Sequence, residues 1–463
     1  MPPRTWTLVN PATEEPFRTV SYTDPPEVAR LLERAQRAQR QWRNVPLDER
    51  VRTVSQMMPA FRAMADGVAG DITRQMGKPL RQSLDEIQTM IDRAEAMCRL
   101  APAALADERL PEKPAFRRFI RHEPHGVVLD IAAWNYPLLI AVNVVVPALL
   151  AGNAVLLKHA RLTTLCADHF VDAFAKTDLP PGLIAALRLD HEATAALIRS
   201  GDVDHVSFTG SVAGGREIYR HVATRFMDAG LELGGKDPAY VAADADLDHA
   251  VENLVDGAFY NAGQSCCAVE RIYVDRSVFG RFVDAYVELV RRYRMGEPED
   301  DGTTLGPLAQ RSGVTLVLEK IAEAKAKGAR VLTGGVPWAG KGFFCEATVL
   351  VNVNHRMTVM REESFGPVIG IMPVADEEEA VRLMNDSPYG LTASIWTRDL
   401  DRAARLGDRL ETGTVYANRC DYLDPMLPWV GVKDSGKGCS LSHLGFLSLT
   451  RPKSFHLRAT ERR

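Results

Sequence analysis

Between residues 120 and 260, short apolar runs alternate with amphipathic stretches, and this alternation constrains the fold more than any other feature of the chain. HGVVLDIAAW (125–134), AVLLK (154–158) and VDHVSFTG (203–210) read as strands. TTLCADHFVDAFAK (163–176) and GGREIYRHVATRFM (214–227) read as helices. In the latter, Ile218, Val222 and Phe226 recur at four-residue spacing, as one stripe of a helix does. Strands alternating with helices predict a parallel sheet covered by helices. A second mixed stretch, from about 235 to 435, is broken by GGVPWAGKGF (334–343) and EESFGP (362–367) and reads as a second α/β unit. Upstream, Asp24 is placed to cap a helix, with Pro25 in its first turn and Val28, Leu31, Leu32, Ala35 and Trp42 as a core stripe.

A chain of 463 residues is too long for one small core, so two or three units are expected. With a net charge of −4 the chain is not basic enough to suggest nucleic acid as the main partner, and none is expected. The longest apolar run, Leu138 to Ala151, is broken by Asn143 and Pro147 and is too short to span a bilayer. MPPRTWTLVN lacks the charged start and apolar core of a signal peptide, so the expectation is a cytoplasmic protein without membrane contact. The seven cysteines are odd in number and widely spaced, which argues against a disulfide framework. No CxxC or HExxH pair occurs, and no metal site is expected. KSFHLR (453–458) and FRRFIRHE (116–123) look like strands that serve either assembly between subunits or the chain's own sheet.

SFTGSVAGG (207–215) joins a predicted strand to a predicted helix. Gly210 permits a tight turn, Gly215 a close helix approach, and the helix start offers free N–H groups to an anion such as a pyrophosphate. The spacing is not GxGxxG, and taken alone a ligand-free structural turn is the better reading.

Four pieces occur in order: AWNYP (133–137), LELGGKDP (231–238), NAGQSCCA (261–268) and EESFGP (362–367). Together they resemble the aldehyde dehydrogenase superfamily, of the hydrolytic, non-acylating kind, over nearly the whole chain. The resemblance implies an α/β fold with a Rossmann-type dinucleotide-binding domain (1–105 and 124–234), an α/β catalytic domain (235–440) and a small β oligomerisation element (106–123 and 441–463). It implies NAD or NADP as cofactor, a small-molecule aldehyde as substrate and a homodimer or homotetramer. It places the nucleophile at Cys266 and the base at Glu232, 34 residues earlier, with Asn135 beside them. It assigns cofactor contacts to Trp134, Lys158, Gly210, Ser211, Gly215, Glu363 and Phe365.

The chemistry explains these residue types. An aldehyde gives up hydride readily only after a thiolate has added to it, forming a hemithioacetal oxyanion. Cysteine suits the addition because its thiolate is accessible near neutral pH and strongly nucleophilic. The Asn135 amide and the Cys266 backbone N–H would stabilise the oxyanion. The product is a thioester, and Glu232 would activate the water that cleaves it. Cys267 reads as a structural neighbour of the nucleophile, or as its partner in a reversible bond under oxidation.

Two departures from the family pattern stand out. After Lys158 the run is KHAR, so Arg161 stands near where a glutamate is usual; it either contacts the extra phosphate of NADP or points to solvent. The C-terminal loop PWVGVKDSGKGCS (428–440) carries Trp429 for the usual Phe and Cys439–Ser440 for Arg–Glu. Tyr136, Tyr422 and Trp429 are expected to line the substrate pocket. LLKHA (156–160) and LSHLG (441–445) resemble a bacterial subgroup that includes succinate-semialdehyde dehydrogenases, in which case Arg419 is the local cation for the distal carboxylate. An uncharged medium-sized aldehyde suits the aromatic residues better. The rivals are an acylating enzyme, disfavoured by the presence of Glu232, and a non-catalytic scaffold that keeps cofactor binding.

Overall fold

Six strands form the sheet that the alternating stretch predicts. Their order is Gly436–Lys437, Ala229–Glu232, His205–Thr209, Val127–Ala132, Ala154–His159 and Ile184–Ala186. The last five are parallel, and Gly436–Lys437 joins the edge antiparallel. This computed structural model describes residues 4–459. The strand of this sheet that comes first in the chain, Val127–Ala132, lies in the middle; the chain winds outward to one side, then returns to its other side with His205–Thr209. A crevice therefore opens between these two strands at their carboxyl ends, where open α/β sheets bind ligands.

The second unit is built on a seven-stranded sheet, ordered Arg330–Thr333, Thr348–Val351, Val368–Val374, Val269–Asp275, Asp237–Val241, Thr392–Trp396 and Thr414–Ala417. Only Arg330–Thr333 runs antiparallel to its neighbour. Two hydrophobic cores follow the two sheets. Cys267 is buried in the first core and Val269 in the second, so the NAGQSCCA loop marks the crossing from one to the other.

Helix Pro25–Trp42 starts as its sequence requires: the Asp24 carboxylate accepts the Glu27 N–H at 2.8 Å. Helix Pro137–Ala151 is the long apolar run, buried along nearly its whole length. Among the described residues no helix is long and apolar enough to cross a membrane. The 163–176 stretch divides into a 3-10 turn, Arg161–Thr163, and a helix, Leu165–Phe174. Helix Val212–Val222 ends before Phe226, which is fully exposed; the third member of the predicted stripe lies off the helix. Only Val222 of the three is buried.

The terminal strand Thr450–Arg458 pairs antiparallel with Phe116–Pro124 along its full length, and Glu108–Arg109 completes a three-stranded sheet. Phe455 faces Phe119 in this register, with ring centroids 4.4 Å apart. Of the two roles open to these strands, pairing within the chain's own sheet is the one this fold displays.

Candidate active site

Cys266, Glu232, Asn135 and Thr209 each line two cavities that meet at them. The first cavity, about 190 Å³, lies at the crevice of the six-stranded sheet. Trp134, just past strand Val127–Ala132, and Gly210 and Ser211, just past His205–Thr209, form its walls with Glu363 and Phe365. The second, about 230 Å³, lies on the opposite side of Cys266 and is lined by Tyr136, Tyr422 and Trp429 among others. Local rules bring these residues together: loops after parallel strands collect at one sheet edge.

The loop before Cys266 is held in an unusual backbone. Asn261, Ala262 and Gly263 have φ of 53°, 55° and 70°. Such a run persists only where the surroundings enforce it. Here Asn261 Nδ2 donates to the Asn135 and Gln264 carbonyls at 3.0 and 3.2 Å. The Gln264 side chain in turn accepts the Ala309 N–H at 2.9 Å. Asn135 Nδ2 donates to the Gln264 carbonyl at 3.1 Å, and its second amide hydrogen remains for another acceptor. Asn135 and the Cys266 loop are thus locked to each other before any substrate arrives.

Glu232 ends its strand between the buried Leu231 and Leu233. Burial raises its pKa above the ordinary carboxylate range, against the opposing influence of the Ser440 hydroxyl, the Arg93 charge and the Thr209 hydroxyl. Cys266 is half-buried, whereas Cys267 is buried and its thiol donates to Asp421 Oδ1 at 2.9 Å. The neighbouring Cys266 thiol and burial both push the Cys267 pKa far up. All seven cysteines are free thiols.

The lining of the first cavity has features that suit part of a dinucleotide. Ser211 caps helix Val212–Val222 through the Gly214 N–H at 3.1 Å, so the helix start faces the crevice. Gly215 does not line the cavity; its bare Cα lets the helix press on Leu233, where a Cβ would lie 2.5 Å from a methyl group. Glu363 accepts the Gly235 N–H at 3.1 Å, and burial, aided by the Glu270 charge, lifts its pKa to about 7. Glu270, paired with the buried Lys236, accepts the backbone N–H groups of Ser364 and Phe365 and so sets the EESFGP loop. Phe365, at φ 48°, meets Trp134 edge-on at 5.4 Å across the cavity mouth. Lys158, next to last in its strand, lies outside this cavity, its pKa lowered to about 8 by burial. Arg161 is exposed, with its guanidinium 5.6 Å from the Trp6 ring centre.

Sequence reasoning missed the helix Leu80–Ala104. Glu86 on it is buried, ion-paired with the buried Lys78, and accepts the Leu138 N–H at 2.8 Å, capping the helix that follows Asn135. Arg93, two turns on, is buried and lines the second cavity. The signal was available: Glu86 and Arg93 share a helical stripe with Met90 and Met97, and charges on an apolar stripe are rarely idle. Arg419, by contrast, does not line the cavity; it is exposed and stacks 3.4 Å from the Tyr422 ring centre.

Comparison with known proteins gives the same picture at the scale of the chain. The Aldehyde dehydrogenase family profile matches residues 2–455. The chain is 35% identical over 438 residues to the NAD(P)+ succinate semialdehyde dehydrogenase of Escherichia coli, a match that covers 94% of each protein. The lactaldehyde dehydrogenase structure from Escherichia coli aligns with a TM-score of 0.95 at 30% identity, covering 98% of this chain and 96% of that one. Betaine aldehyde dehydrogenase from Staphylococcus aureus, solved with NAD+, aligns with a TM-score of 0.93 at 30% identity, covering 98% and 91%.

Proposed function

Because this chain belongs to the aldehyde dehydrogenase family, we propose that Cys266, Glu232 and Asn135 carry its reaction at the seam of the two cavities. The enzyme oxidises an aldehyde to a carboxylic acid with NAD or NADP. The observation that carries the residue assignment is that Asn135, Glu232 and Cys266 border both cavities at once. A nucleophile that receives an aldehyde on one side and passes hydride to the other needs that position.

The Cys266 thiolate attacks the aldehyde carbon from the second cavity. The Asn135 amide and the Cys266 N–H hold the resulting oxyanion. A nicotinamide dinucleotide held in the first cavity would supply the hydride acceptor. Trp134, Glu363, Phe365, Gly210 and Ser211 would bind and orient it, Gly215 sets the helix beside it, and Lys158 would contact its adenosine ribose. Glu232 then takes a proton from water, which cleaves the thioester and frees the carboxylic acid. Its raised pKa suits a base that must also release that proton. Asp421 keeps the Cys267 thiol occupied, which supports a structural role for Cys267.

Free thiols throughout fit a reducing compartment, and we place the enzyme in the cytoplasm. The outer edge of strand Thr450–Arg458 supports assembly as a homodimer or homotetramer.

The test is Cys266→Ser. Initial rates of reduced-cofactor formation on a short aldehyde should fall at least about 1,000-fold. Full activity in that variant would refute the assignment.

A further inference from the structure

Among the described residues one cation lines the second cavity, and it pairs with no carboxylate. Arg93 is 6% exposed and borders the space in front of Cys266. Its Nη1 donates to the Asn143 side chain at 3.2 Å and to the Leu139 carbonyl at 3.4 Å. Its Nε has no hydrogen-bond partner among the described residues. A buried guanidinium satisfied by neutral acceptors alone is costly, because the interior screens and solvates it poorly.

The acidic groups around the same cavity are committed elsewhere. Glu86 is held by Lys78 and by the helix N–H groups of Leu138 and Leu139. Asp421 accepts from Cys267 and Ser265 at 2.9 and 3.1 Å. Asp85 and Asp256 are exposed, and neither pairs with Arg93. Glu232 is reserved for water activation under the reading above. Arg93 therefore faces the cavity without an ion-pair partner among the described residues.

We propose that Arg93, steadied by Asn143, binds an anionic group at the far end of the aldehyde, so that the preferred substrates are short oxo acids. This rests on Cys266 being the nucleophile of that cavity. A carboxylate there would complete the guanidinium's hydrogen bonds and neutralise it, which a neutral aldehyde of equal length cannot do. Arg93 is then a specificity-determining residue, and Arg419, at the surface, is not.

The experiment compares kcat/KM for succinic semialdehyde with that for butanal, in the wild type and in Arg93→Met. The wild type should favour the oxo acid, and the ratio should fall about 100-fold in the variant, mainly through KM. An unchanged ratio, or a wild-type preference for butanal, would overturn the proposal. Turnover of neither aldehyde by the wild type would bring down the reading of Cys266, and this proposal with it. A second measurement needs no variant: succinate should slow alkylation of Cys266 by iodoacetamide in the wild type, and butyramide should not. Equal protection by both would count against the anion site.

Discussion

The two cavities that meet at Cys266 are built in different ways. The cofactor side is assembled from short contiguous motifs, each following a parallel strand: AWNYP after one, TGS after another, EESFGP from the second unit. The aldehyde side is assembled from separated positions on a long helix, a second helix and an irregular loop, including Thr89, Arg93, Ile140, Tyr260 and Leu423. One wall is fixed by strand ends and glycines, the other by whichever side chains a helix happens to present. Shared chemistry can thus reside on the first wall while substrate choice varies on the second.

The sharpest challenge to this division is Glu232→Gln, which changes a residue common to both walls. Steady-state turnover should fall about 100- to 1,000-fold while a burst of one equivalent of reduced cofactor survives. Loss of the burst as well would mean that Glu232 acts before the thioester. The acid limb of the wild-type pH–rate profile should lie above the ordinary carboxylate range, in keeping with the raised pKa. Asn135→Ala tests another shared residue, with an expected loss of about 100-fold in kcat for every aldehyde tried. A loss confined to one aldehyde would move Asn135 to the substrate wall.

Glu363→Gln probes the cofactor wall alone. The cofactor KM should rise about tenfold, with substrate preference unchanged. The same variant has a stability signature. With its pKa at about 7 against 4.5 unfolded, Glu363 is favoured as the neutral acid. That contribution is complete below about pH 4.5 and is lost as pH rises through 7. Without cofactor, Glu363→Gln should therefore be more stable than the wild type above pH 7, by up to about 3 kcal/mol in urea unfolding. The smallest effect is expected for Cys267→Ala, within about threefold in kcat, because its thiol serves Asp421 and not the reaction.

How much could be read in advance follows the same line. The parallel sheet, the Asp24 cap and the strand–turn–helix at Gly210 and Ser211 were legible because each is a local pattern with one physical solution. Trp134, Asn135, Glu363 and Phe365 were legible as members of motifs. Phe226 was misplaced because four-residue spacing continues on paper after the helix has stopped. Lys158 lies beyond the cavity walls since motif membership says nothing of distance. Arg93 and Glu86 could be flagged as charges on an apolar helical stripe, but not placed at the site. Their partners, Asn143, Lys78 and Leu138, come together only through helix packing, which no short window of sequence contains. Arg419 was nominated by proximity in the chain, and three-dimensional proximity decided otherwise.

The bond from Glu86 to the start of helix Pro137–Ala151 has an evolutionary consequence. One helix, Leu80–Ala104, both presents Arg93 to the cavity and holds the segment that aims Asn135. Any shift of that helix to accommodate a new aldehyde would therefore also disturb Asn135, the oxyanion donor proposed above. On that reading, adaptation to new substrates would be channelled into exchanging side chains such as Thr89 and Arg93 on a stationary helix, with Glu86 as its anchor.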